Sequence, residues 1–545
     1  MNSQTIVIAD VDHIQEYVFG AGQLRAVRGS SALIEMLGEV MKTIVETNDG
    51  DCLRHQGGQL VAQFQDLPDS KCMEINGQLH NATKEIGGPS LTLTIGHSSN
   101  ADFSSALQEA FADIRSKKQQ NTVRNGWPDS LPSGGHLRHC ELCKQNPAIF
   151  NQENDKPNFK FAEGDPGEFK YLCESCAKRI EVRIENIPFE QSLRKALRER
   201  EMSALRSCHN IENLWPDRGE RNYLAMVSAD GNGIGSLHDS IDDPDSYRKF
   251  SQALDDLGRD AIVHAIRQDE RLYRFLTKTE FAPNRETRFR MMPIISGGDD
   301  FTVLMPAEFA FDFALAWAES FKELSRKNEH IQSAITSFFS RKLKRAKLYF
   351  QEPSPGNPSP LTLAIGIAVA KPHFPISAFN RLSRQLRRSA KRAESIRPDA
   401  HEFSGIDFAV ITTPNAEDLE TLRERYGSHN RPELTARPYT LSDFRCLLAL
   451  RAALAENIPQ SKRKWLYAEF WRGKENATHA LRFALQRNDP ASSDRKPGPV
   501  ASALEELACS AKNPFIELKG KLKSSKSGQT PLPDALEIVD FSPES

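Results

Sequence analysis

The chain contains a Gly-Gly-Asp-Asp motif in "ISGGDDFTVL" at 295–304, where two adjacent carboxylates follow two glycines and precede an apolar run. A second acidic loop, "ADGNGIGSL" at 229–237, places Asp230 at the end of another apolar run. If the two runs are neighbouring strands, Asp230, Asp299 and Asp300 converge, and divalent cations relieve their repulsion. The motifs therefore predict a catalytic Mg²⁺ site at which two ions activate a 3′-hydroxyl and stabilise a leaving pyrophosphate.

The glycines suit a hairpin that binds a nucleotide. Glycine adopts the positive φ angles of two-residue turns at no steric cost, and it lets a ligand approach the backbone. We predict that Gly297 and Gly298 join the hairpin strands and that they bind a nucleotide together with Gly231, whose carbonyl is also a candidate metal ligand. Asn232 stands where a second aspartate would strengthen the site. The alternatives are a plain acidic turn and a glycine-rich phosphate loop, although the spacing is not that of a P-loop.

Four of the nine cysteines form two C-x-x-C pairs, and the other five are scattered. The paired residues are Cys140, Cys143, Cys173 and Cys176. This spacing predicts a structural Cys₄ zinc ribbon, although the 29 residues between the pairs exceed the usual loop of about 15–20. A redox-active pair and a ligand exchange with His136 or His139 are the alternatives. The cysteine usage favours a reducing compartment over a disulfide framework.

Three segments near the start of the chain recur in the same order later. The pairs are "IVIADVD" (6–12) with "AMVSADGN" (225–232), "GGQLVAQF" (57–64) with "GGDDFTVL" (297–304), and "SLTLTIG" (90–96) with "PLTLAIG" (360–366). Collinear matches indicate a duplicated domain. Each copy reads as strand, helix, two hairpin strands, helix and strand, the βαββαβ order of a ferredoxin-like palm domain.

The first copy lacks carboxylates in its hairpin, "GGQL", although Asp10 and Asp12 follow its first strand. This difference suggests a composite site in which the first copy holds an acceptor nucleotide against a donor in the second. Arg28 and Ser30 are predicted to bind that nucleotide near a helix N-terminus at 29–31, with plain helix capping by serine as the alternative.

A strongly basic segment follows the last strand of the second copy, "AFNRLSRQLRRSAKRAES" at 378–395. Lys391 in this segment can reach a triphosphate as a point charge. The alternative is a solvated basic helix face.

Composition excludes several classes of protein. The formal net charge is −2, from 71 basic and 73 acidic residues, which excludes a globally basic nucleic-acid binder but permits a local basic groove. No apolar run approaches the roughly 20 residues that span a bilayer, and no signal peptide is visible, so we expect a cytoplasmic location without membrane contact.

The sequence predicts an α+β chain of four parts. They are a degenerate palm domain at 1–128, a zinc ribbon with a helical connector at 129–218, a catalytic palm domain at 219–411, and a C-terminal helical domain with a flexible tail at 412–545.

Together these motifs resemble the large palm-domain subunit of type III CRISPR–Cas effector complexes, a cyclic oligoadenylate synthetase. The resemblance covers roughly 1–410 and rests on "DVDHIQEYVF", "LRAVRGSSALIEML", the cysteine pairs, "ADGNGIG", "GGDD" and "SAKR". It implies ATP as substrate, Mg²⁺ or Mn²⁺ as catalytic cofactor, and guide RNA, target RNA and other effector subunits as partners. It assigns Asp230, Asp299 and Asp300 to the catalytic metals, and Lys391 to the triphosphate.

Many members of that family begin with an HD nuclease domain, whereas this sequence starts at the first palm strand and its only His-Asp pair is His238-Asp239. The resemblance therefore implies no DNase activity. Three alternatives stay open. One is a non-enzymatic scaffold that contacts guide RNA through basic stretches at 340–350 and 517–526. The second is a free-standing cyclic oligonucleotide synthetase. The third is a diguanylate-cyclase-like enzyme, and the tandem palms and the ribbon disfavour this third alternative.

Overall fold

The computed structural model of the protein describes most of the chain. The described residues are 4–120, 138–148, 150–151, 171–183, 185, 187–198, 205–208, 210–214, 222–277, 288–340, 350, 352–354, 356–395, 404–412, 418–424, 434–488, 498–509 and 530–541. Within these ranges, none of the helices has the length and apolar character needed to cross a membrane. The chain is α+β, as predicted.

The first unit is a four-stranded antiparallel sheet with its helices. Its elements are β1 (Gln4–Val11), α1 (Ile14–Phe19), α2 (Leu24–Thr47), β2 (Asp51–Arg54), β3 (Gln59–Gln65), α3 (Asp69–Gly87), β4 (Leu93–Asn100) and α4 (Phe103–Gln120). The strand order is β2-β3-β1-β4, so β1 lies between its two antiparallel partners, β3 and β4.

The segment between the two units contains only short helices and strands. It contains β5 (Phe150–Asn151), β6 (Tyr171–Leu172), α5 (Glu174–Glu181), α6 (Pro188–Leu197) and β7 (Arg206–Ser207). Strands β5 and β6 pair antiparallel, and α5 packs on α2 of the first unit. The carbonyl oxygen of Arg179 in α5 would lie 1.8 Å from a Cβ atom added at Gly29 of α2, so this packing requires glycine at that position.

The second unit repeats the topology and extends it. Its elements are β8 (Leu224–Gly231), α7 (Ile234–His238), α8 (Pro244–Gln268), α9 (Glu270–Thr277), β9 (Arg288–Phe289), β10 (Met292–Gly297), β11 (Asp300–Pro306), α10 (Ala307–Lys327), α11 (Glu329–Ser340), β12 (Leu363–Ala370), α12 (Ile376–Ser395) and β13 (Gly405–Val410). The strand order begins β10-β11-β8-β12, which matches the first sheet. Strand β13, which the sequence reading did not predict, then runs parallel to β12.

The C-terminal region is mainly helical and also contributes to the second sheet. Its elements are α13 (Leu419–Glu424), β14 (Tyr439–Thr440), α14 (Leu441–Asn457), α15 (Gln460–Arg472), α16 (Lys474–Asn488), α17 (Pro499–Cys509) and α18 (Leu532–Ile538). The short strand β14 pairs with β13 at the sheet edge. The region predicted to be helical is therefore partly continuous with the second sheet.

Local sequence explains why the long helix α8 begins where it does. The Asp243 side chain accepts a hydrogen bond of 2.8 Å from the backbone N–H of Ser246, and Pro244 occupies the first helical position. The apolar face of α8 includes Phe250, Leu254 and Leu257 and is buried against the sheet. On the opposite face, Arg248 and Asp255 lie toward the first unit.

The two units meet through their hairpins and first long helices. Helix α2 contacts β10, and helix α8 contacts β2, so each first helix reaches the other unit's hairpin. A Cβ atom added at Gly297 would lie 2.5 Å from the Cα atom of Gly57, so the two glycine turns touch backbone to backbone. An ion pair between Arg248 and Asp51 joins α8 to β2. The interface therefore surrounds the Gly-Gly-Asp-Asp motif.

Candidate active site

Three acidic residues converge at the end of the second sheet. Strand β8 pairs antiparallel with β11, and this register places Asp230 directly opposite Asp300. The backbone N–H of Gly231 donates a hydrogen bond of 3.1 Å to the carbonyl oxygen of Asp299. Because paired residues of an antiparallel ladder point to the same face, the carboxylates of Asp230 and Asp300 are neighbours. The structure thus brings together the three aspartates that the sequence singled out.

The hairpin turn is shifted by one residue from the prediction. Gly297 pairs with Asp300 and belongs to β10, so Gly298 and Asp299 form the turn. Gly298 has a φ of 59°, in the left-handed region that favours glycine. The prediction that Gly297 and Gly298 form the turn is therefore wrong, and Asp299 lies at the tip of the hairpin.

Two cationic side chains of α12 already contact these acids. Lys391 forms an ion pair with Asp230, and its Nζ atom lies 3.4 Å from the carbonyl oxygen of Gly231. Arg387, one turn earlier, is buried and forms an ion pair with Asp300. The sequence predicted Lys391 as a site residue but missed Arg387. These two cations balance part of the acidic charge at this end of the sheet.

Burial raises the pKa of both hairpin aspartates. Burial, with the neighbouring Asp230 carboxylate, raises the pKa of Asp299 to about 6, while the Arg54 guanidinium opposes the increase. Burial also raises the pKa of Asp300, and the Arg387 guanidinium counteracts this effect. Three carboxylates and the Gly231 carbonyl offer hard oxygen donors, which suit Mg²⁺ or Mn²⁺. The donor chemistry therefore suits the implied catalytic metals, while among the described residues only the four cysteines place three or more ligand atoms within 4.8 Å of one another.

Asn232 anchors the acidic loop in this structure. Its side-chain amide donates a hydrogen bond of 3.1 Å to Thr362 Oγ1, and its backbone N–H donates one of 3.0 Å to the Thr362 carbonyl oxygen. Asn232 is 1% exposed. These contacts join the loop after β8 to the segment that precedes β12, so Asn232 holds the loop in place.

A cavity of ≈ 470 Å³ lies between the two units beside the acidic residues. The second unit contributes Ser296, Asp300 and Arg384 to its wall, and the first contributes Glu35 and Gln56. Phe189 from the α6 segment also lines it and packs against Phe301, with the ring centroids 5.7 Å apart. A cavity of this size that opens on acidic residues from one side suits a small polar ligand such as a nucleotide.

Two partly buried carboxyl groups that the sequence reading missed face this cavity. Glu35 accepts hydrogen bonds from the Ser296 hydroxyl and from the backbone N–H of Phe189, the latter at 3.1 Å. Asp255 lines the same cavity as Gly297 and Gly298 of the hairpin. Burial raises the pKa of Glu35 to about 7 and that of Asp255 to about 7. A signal was present in the sequence, since both residues stand two positions before a Leu-Gly pair in the repeats.

The raised pKa of Glu35 predicts a pH-dependent stability. The folded protein binds this proton more tightly than the unfolded chain, so the stabilisation is complete below pH 4.5 and is lost as the pH rises to about 7. In wild type, deprotonation of Glu35 should lower the free energy of unfolding by about 3 kcal/mol between pH 5 and 8. We expect this part of the decrease to be absent in Glu35→Gln. Urea denaturation of metal-free protein measures this, with Glu46→Gln on the same helix as control. Parallel curves for wild type and Glu35→Gln would contradict it.

The structure corrects the prediction for Arg28 and Ser30. Helix α2 begins at Leu24, so the residues near 29–31 lie inside the helix and neither bind an anion at its N-terminus nor cap it. Arg28 is fully buried, forms an ion pair with Glu190 and donates to the Cys208 carbonyl oxygen. The Ser30 hydroxyl donates to the carbonyl oxygen of Ala26 at 2.7 Å. We therefore withdraw both residues as nucleotide ligands.

We expect Arg28→Met to lower the free energy of unfolding by about 3–5 kcal/mol, because Glu190 is then left charged and buried. The double variant Arg28→Met/Glu190→Leu should recover most of this loss, since Arg194 keeps its ion pair with Glu185 at 3.1 Å. Urea denaturation of both variants measures the effect. If the single variant were as stable as wild type, the buried pair would not have the assigned role.

The first unit retains a weaker version of the acidic site. Asp10 and Asp12 both contact Lys118 of α4, with Nζ to carboxylate distances of 2.8 and 3.4 Å. The Thr94 hydroxyl donates to Asp12 at 2.7 Å. Strand β3 opposes these acids with Gln59 where the second unit has its acidic hairpin. The described part of the first unit therefore has a lysine–aspartate pair but no acidic hairpin.

The four predicted zinc ligands come together between the units. The Sγ atoms of Cys140, Cys143, Cys173 and Cys176 all lie within 4.8 Å of one another. The Cys143 and Cys173 sulfurs are 3.9 Å apart, close to the roughly 3.8 Å edge of a tetrahedron with Zn–S bonds of about 2.3 Å. The cluster lacks an open side for substrate, because these residues are buried with Leu142, Leu172 and Ile180. The residues therefore fit a structural zinc ion.

The His-Asp pair and the basic stretches have separate outcomes. His238 is buried, and its ring packs between Tyr247 and Phe250 with centroid distances of 4.9 and 4.8 Å. This environment is structural. His136, residues 341–349 of the first basic stretch and the whole of 517–526 lie outside the described residues.

In comparison with known proteins, residues 223–397 match the family model of the Cas10/Cmr2 second palm domain. Among solved structures, the Csm1–Csm4 cassette in complex with cA4 is 14% identical, with a TM-score of 0.48 over 93% of this chain and 69% of that chain. Csm1 from T. onnurineus is 14% identical, with a TM-score of 0.47 over 93% of this chain and 69% of that chain. No curated protein matches the sequence.

The profile match covers β8, the Gly-Gly-Asp-Asp hairpin, β12 and α12. This fold and this site define a palm domain of the nucleotidyltransferase and cyclase type. Residues 223–397 match the family model of the Cas10/Cmr2 second palm domain, in agreement with the resemblance to the large subunit of type III effector complexes.

Proposed function

We propose that the chain is a nucleotidyltransferase that converts ATP to cyclic oligoadenylates within a cytoplasmic type III CRISPR-like antiviral system. The observation that carries the proposal is the register that places Asp230 opposite Asp300, with Asp299 at the adjoining turn, beside a cavity between two similar sheets. On this proposal both sheets are ferredoxin-like palm domains, and the second performs the chemistry. Guide RNA, target RNA and other effector subunits are the proposed partners, and target RNA is the proposed activator.

The chain's own residues have distinct roles in the proposed reaction. Asp230, Asp299 and Asp300 hold the divalent ions. Bound Mg²⁺ or Mn²⁺ supplies activation of the 3′-hydroxyl and charge stabilisation on the phosphates. The backbone of Gly231, Gly297 and Gly298 lets the nucleotide approach.

Lys391 and Arg387 lie beside Asp230 and Asp300 and would bind the donor triphosphate as cations. The acceptor hydroxyl loses its proton to water and attacks the α-phosphate, the bond from the α-phosphorus to the bridging oxygen breaks, and pyrophosphate leaves. The first unit holds the acceptor nucleotide in the cavity between the units. The Cys₄ cluster holds structural Zn²⁺ and takes no part in this chemistry.

Incubation of the protein or its complex with labelled ATP and Mg²⁺, with and without target RNA, tests the proposal. We expect pyrophosphate release and a cyclic adenylate product, identified by mass spectrometry. GTP in place of ATP should give little product. A product of GTP alone would indicate a diguanylate-cyclase-like enzyme. Assembly with guide RNA but no nucleotide turnover under any condition would support the scaffold alternative and contradict the proposal.

A further inference from the structure

Glu35 and Asp255 occupy equivalent positions in the two repeats. Each lies on the first long helix of its unit, α2 or α8, and each is followed two positions later by Leu-Gly. In both helices this glycine permits close packing, against the carbonyl oxygen of His55 in one case and the Phe301 ring in the other. The duplication therefore placed one partly buried carboxyl group on each side of the same cavity.

The contacts of Glu35 cross from the first unit to the second. One carboxylate oxygen accepts a hydrogen bond from the Ser296 hydroxyl in β10, immediately before the glycines of the catalytic hairpin. The other accepts the backbone N–H of Phe189 at the start of α6. Among the described residues, no cationic side chain lies within ion-pair distance of Glu35. Its charge is therefore stabilised mainly by these two donors.

Asp255 acts on the same hairpin from the opposite side. Its side chain lines the cavity together with Gly297 and Gly298 of the hairpin, and with Gln56 and Gly57 of the first unit. The Arg54 guanidinium of the first unit would lie 3.1 Å from a Cβ atom at Gly298, so this side of the turn is packed closely. The two carboxyl groups thus flank the hairpin, Glu35 through the hydrogen bond from Ser296 and Asp255 beside Gly298 in the cavity wall.

We infer that Glu35 and Asp255 are positioning residues that clamp the Gly-Gly-Asp-Asp hairpin from its two sides. The clamp holds Asp299 and Asp300 at a fixed place beside the cavity. Glu35 is the more informative member, because it makes the first unit responsible for the geometry of the second unit's acids. This inference deepens the proposed function and rests on it for its link to catalysis, but the clamp itself is a statement about the hairpin.

The test compares truncation with amide substitution. Glu35→Ala and Asp255→Ala remove the carboxyl groups. Glu35→Gln keeps an oxygen that accepts from Phe189, and Asp255→Asn keeps the size of the side chain beside Gly298. The side-chain amide introduced by Glu35→Gln can in turn donate to the Ser296 oxygen. We expect each alanine variant to lower kcat on the order of 10²-fold, because an error of about 1 Å at a reacting centre costs that much. KM for ATP should change less than about threefold, and the amide variants should keep most of the activity.

Hydrogen exchange of the hairpin peptide provides a readout that does not depend on activity. The amides of 296–301 should exchange faster in Glu35→Ala and Asp255→Ala than in wild type, while exchange elsewhere is unchanged. Glu46→Ala, at an exposed position of the same helix, is the matched control and should change neither exchange nor turnover.

Each outcome separates the clamp from the proposed reaction. Unchanged hairpin exchange in Glu35→Ala would overturn the clamp even if wild type makes product. Faster exchange throughout the chain would overturn it as well, by showing a general structural role. Loss of activity in Glu35→Gln equal to that in Glu35→Ala would assign the carboxylate a chemical role instead. Faster hairpin exchange in Glu35→Ala, when even wild type makes no product, would support the clamp and refute the proposed function.

Discussion

Replacement of both Asp299 and Asp300 with asparagine is expected to abolish synthesis of the nucleotide product, a loss on the order of 10³-fold or more. The reason is electrostatic, because a divalent ion supplies several kcal/mol of stabilisation to the transferring phosphates, and about 1.4 kcal/mol corresponds to a tenfold change in rate. Asparagine keeps the size of each side chain but offers a neutral amide oxygen, which holds Mg²⁺ poorly. The measurement is product formation from labelled ATP over a range of Mg²⁺ concentrations.

Asp256→Asn is the matched control for this change. Asp256 follows Asp255 on α8, is partly exposed and pairs with Arg259 at 3.1 Å, outside the acidic cluster. The control should retain activity within about twofold of wild type, because surface ion pairs contribute little. Retained synthesis in the double variant would contradict the assignment of the hairpin acids, whatever the identity of the product.

The two adjacent aspartates should differ in their effects on metal-free protein. Asp300 has Arg387 as an ion-pair partner, whereas no cationic side chain of the described residues lies within ion-pair distance of Asp299. Asp299→Asn therefore removes an unfavourable, partly buried charge and should raise the melting temperature, while Asp300→Asn leaves Arg387 without its partner and should lower it. Equal shifts of the melting temperature with the same sign would contradict this difference between the two aspartates.

The sequence allowed the acidic cluster to be located because its members follow strands. Collinear repeats indicated which runs are neighbouring strands. In an antiparallel pair, the last residue of one strand lies beside the first residue of its neighbour, at the same edge of the sheet. This is how Asp230 and Asp300 could be paired without coordinates. The one-residue shift of the turn was not predictable, since glycine pairs satisfy several turn geometries.

The buried ion pair of Arg28 with Glu190 could not be predicted from the sequence. "LRAVRGSS" contains an arginine, a glycine and two serines, a composition that is equally typical of an anion-binding helix start. What decides the outcome is Glu190, which is distant in sequence and meets Arg28 inside the core. Gly29 was read as a helix boundary, but it serves the close approach of α5. Side-chain pairing across such distances depends on the packing of the whole chain.

Glu35 and Asp255 are hard to predict from motifs, because both lie in the middle of long helices. Helix periodicity predicts only that some polar residues face solvent. The equivalence of these two positions becomes visible when the repeats are aligned on their Leu-Gly pairs. Arg387 was likewise hidden in a helix with many basic residues, and only the packing of α12 on the sheet distinguishes it from its neighbours.

A substitution in the four-cysteine cluster is expected to have the largest effect on stability. We expect wild-type protein to contain one zinc ion per chain and Cys173→Ser/Cys176→Ser to contain none. Structural zinc sites contribute about 10–16 kcal/mol of apparent binding free energy at neutral pH. The variant should therefore lose several kcal/mol of stability, with the loss limited to what this small module contributes. Elemental analysis by plasma mass spectrometry gives the metal content, and thermal unfolding gives the stability.

Cys52→Ser is the control for the loss of zinc, because Cys52 lies on β2, outside the cluster, and is not fully buried. It should keep the zinc ion and a melting temperature within a few degrees of wild type. Retention of zinc by the double variant would show that other ligands hold the ion. Loss of zinc without loss of stability would contradict a structural role.

The loss of zinc should also reach the catalytic hairpin, by a route that the packing defines. The cysteine cluster orders α5, and α5 packs on α2 at Gly29, less than two helical turns before Glu35. A displaced α2 withdraws the Glu35 carboxylate from Ser296, so exchange in the hairpin peptide should rise in Cys173→Ser/Cys176→Ser as it does in Glu35→Ala. Local exchange confined to the cysteine module, with an unaffected hairpin, would show that the metal cluster and the acidic cluster are independent. A rise at both places would make zinc a determinant of active-site geometry without any contact with substrate.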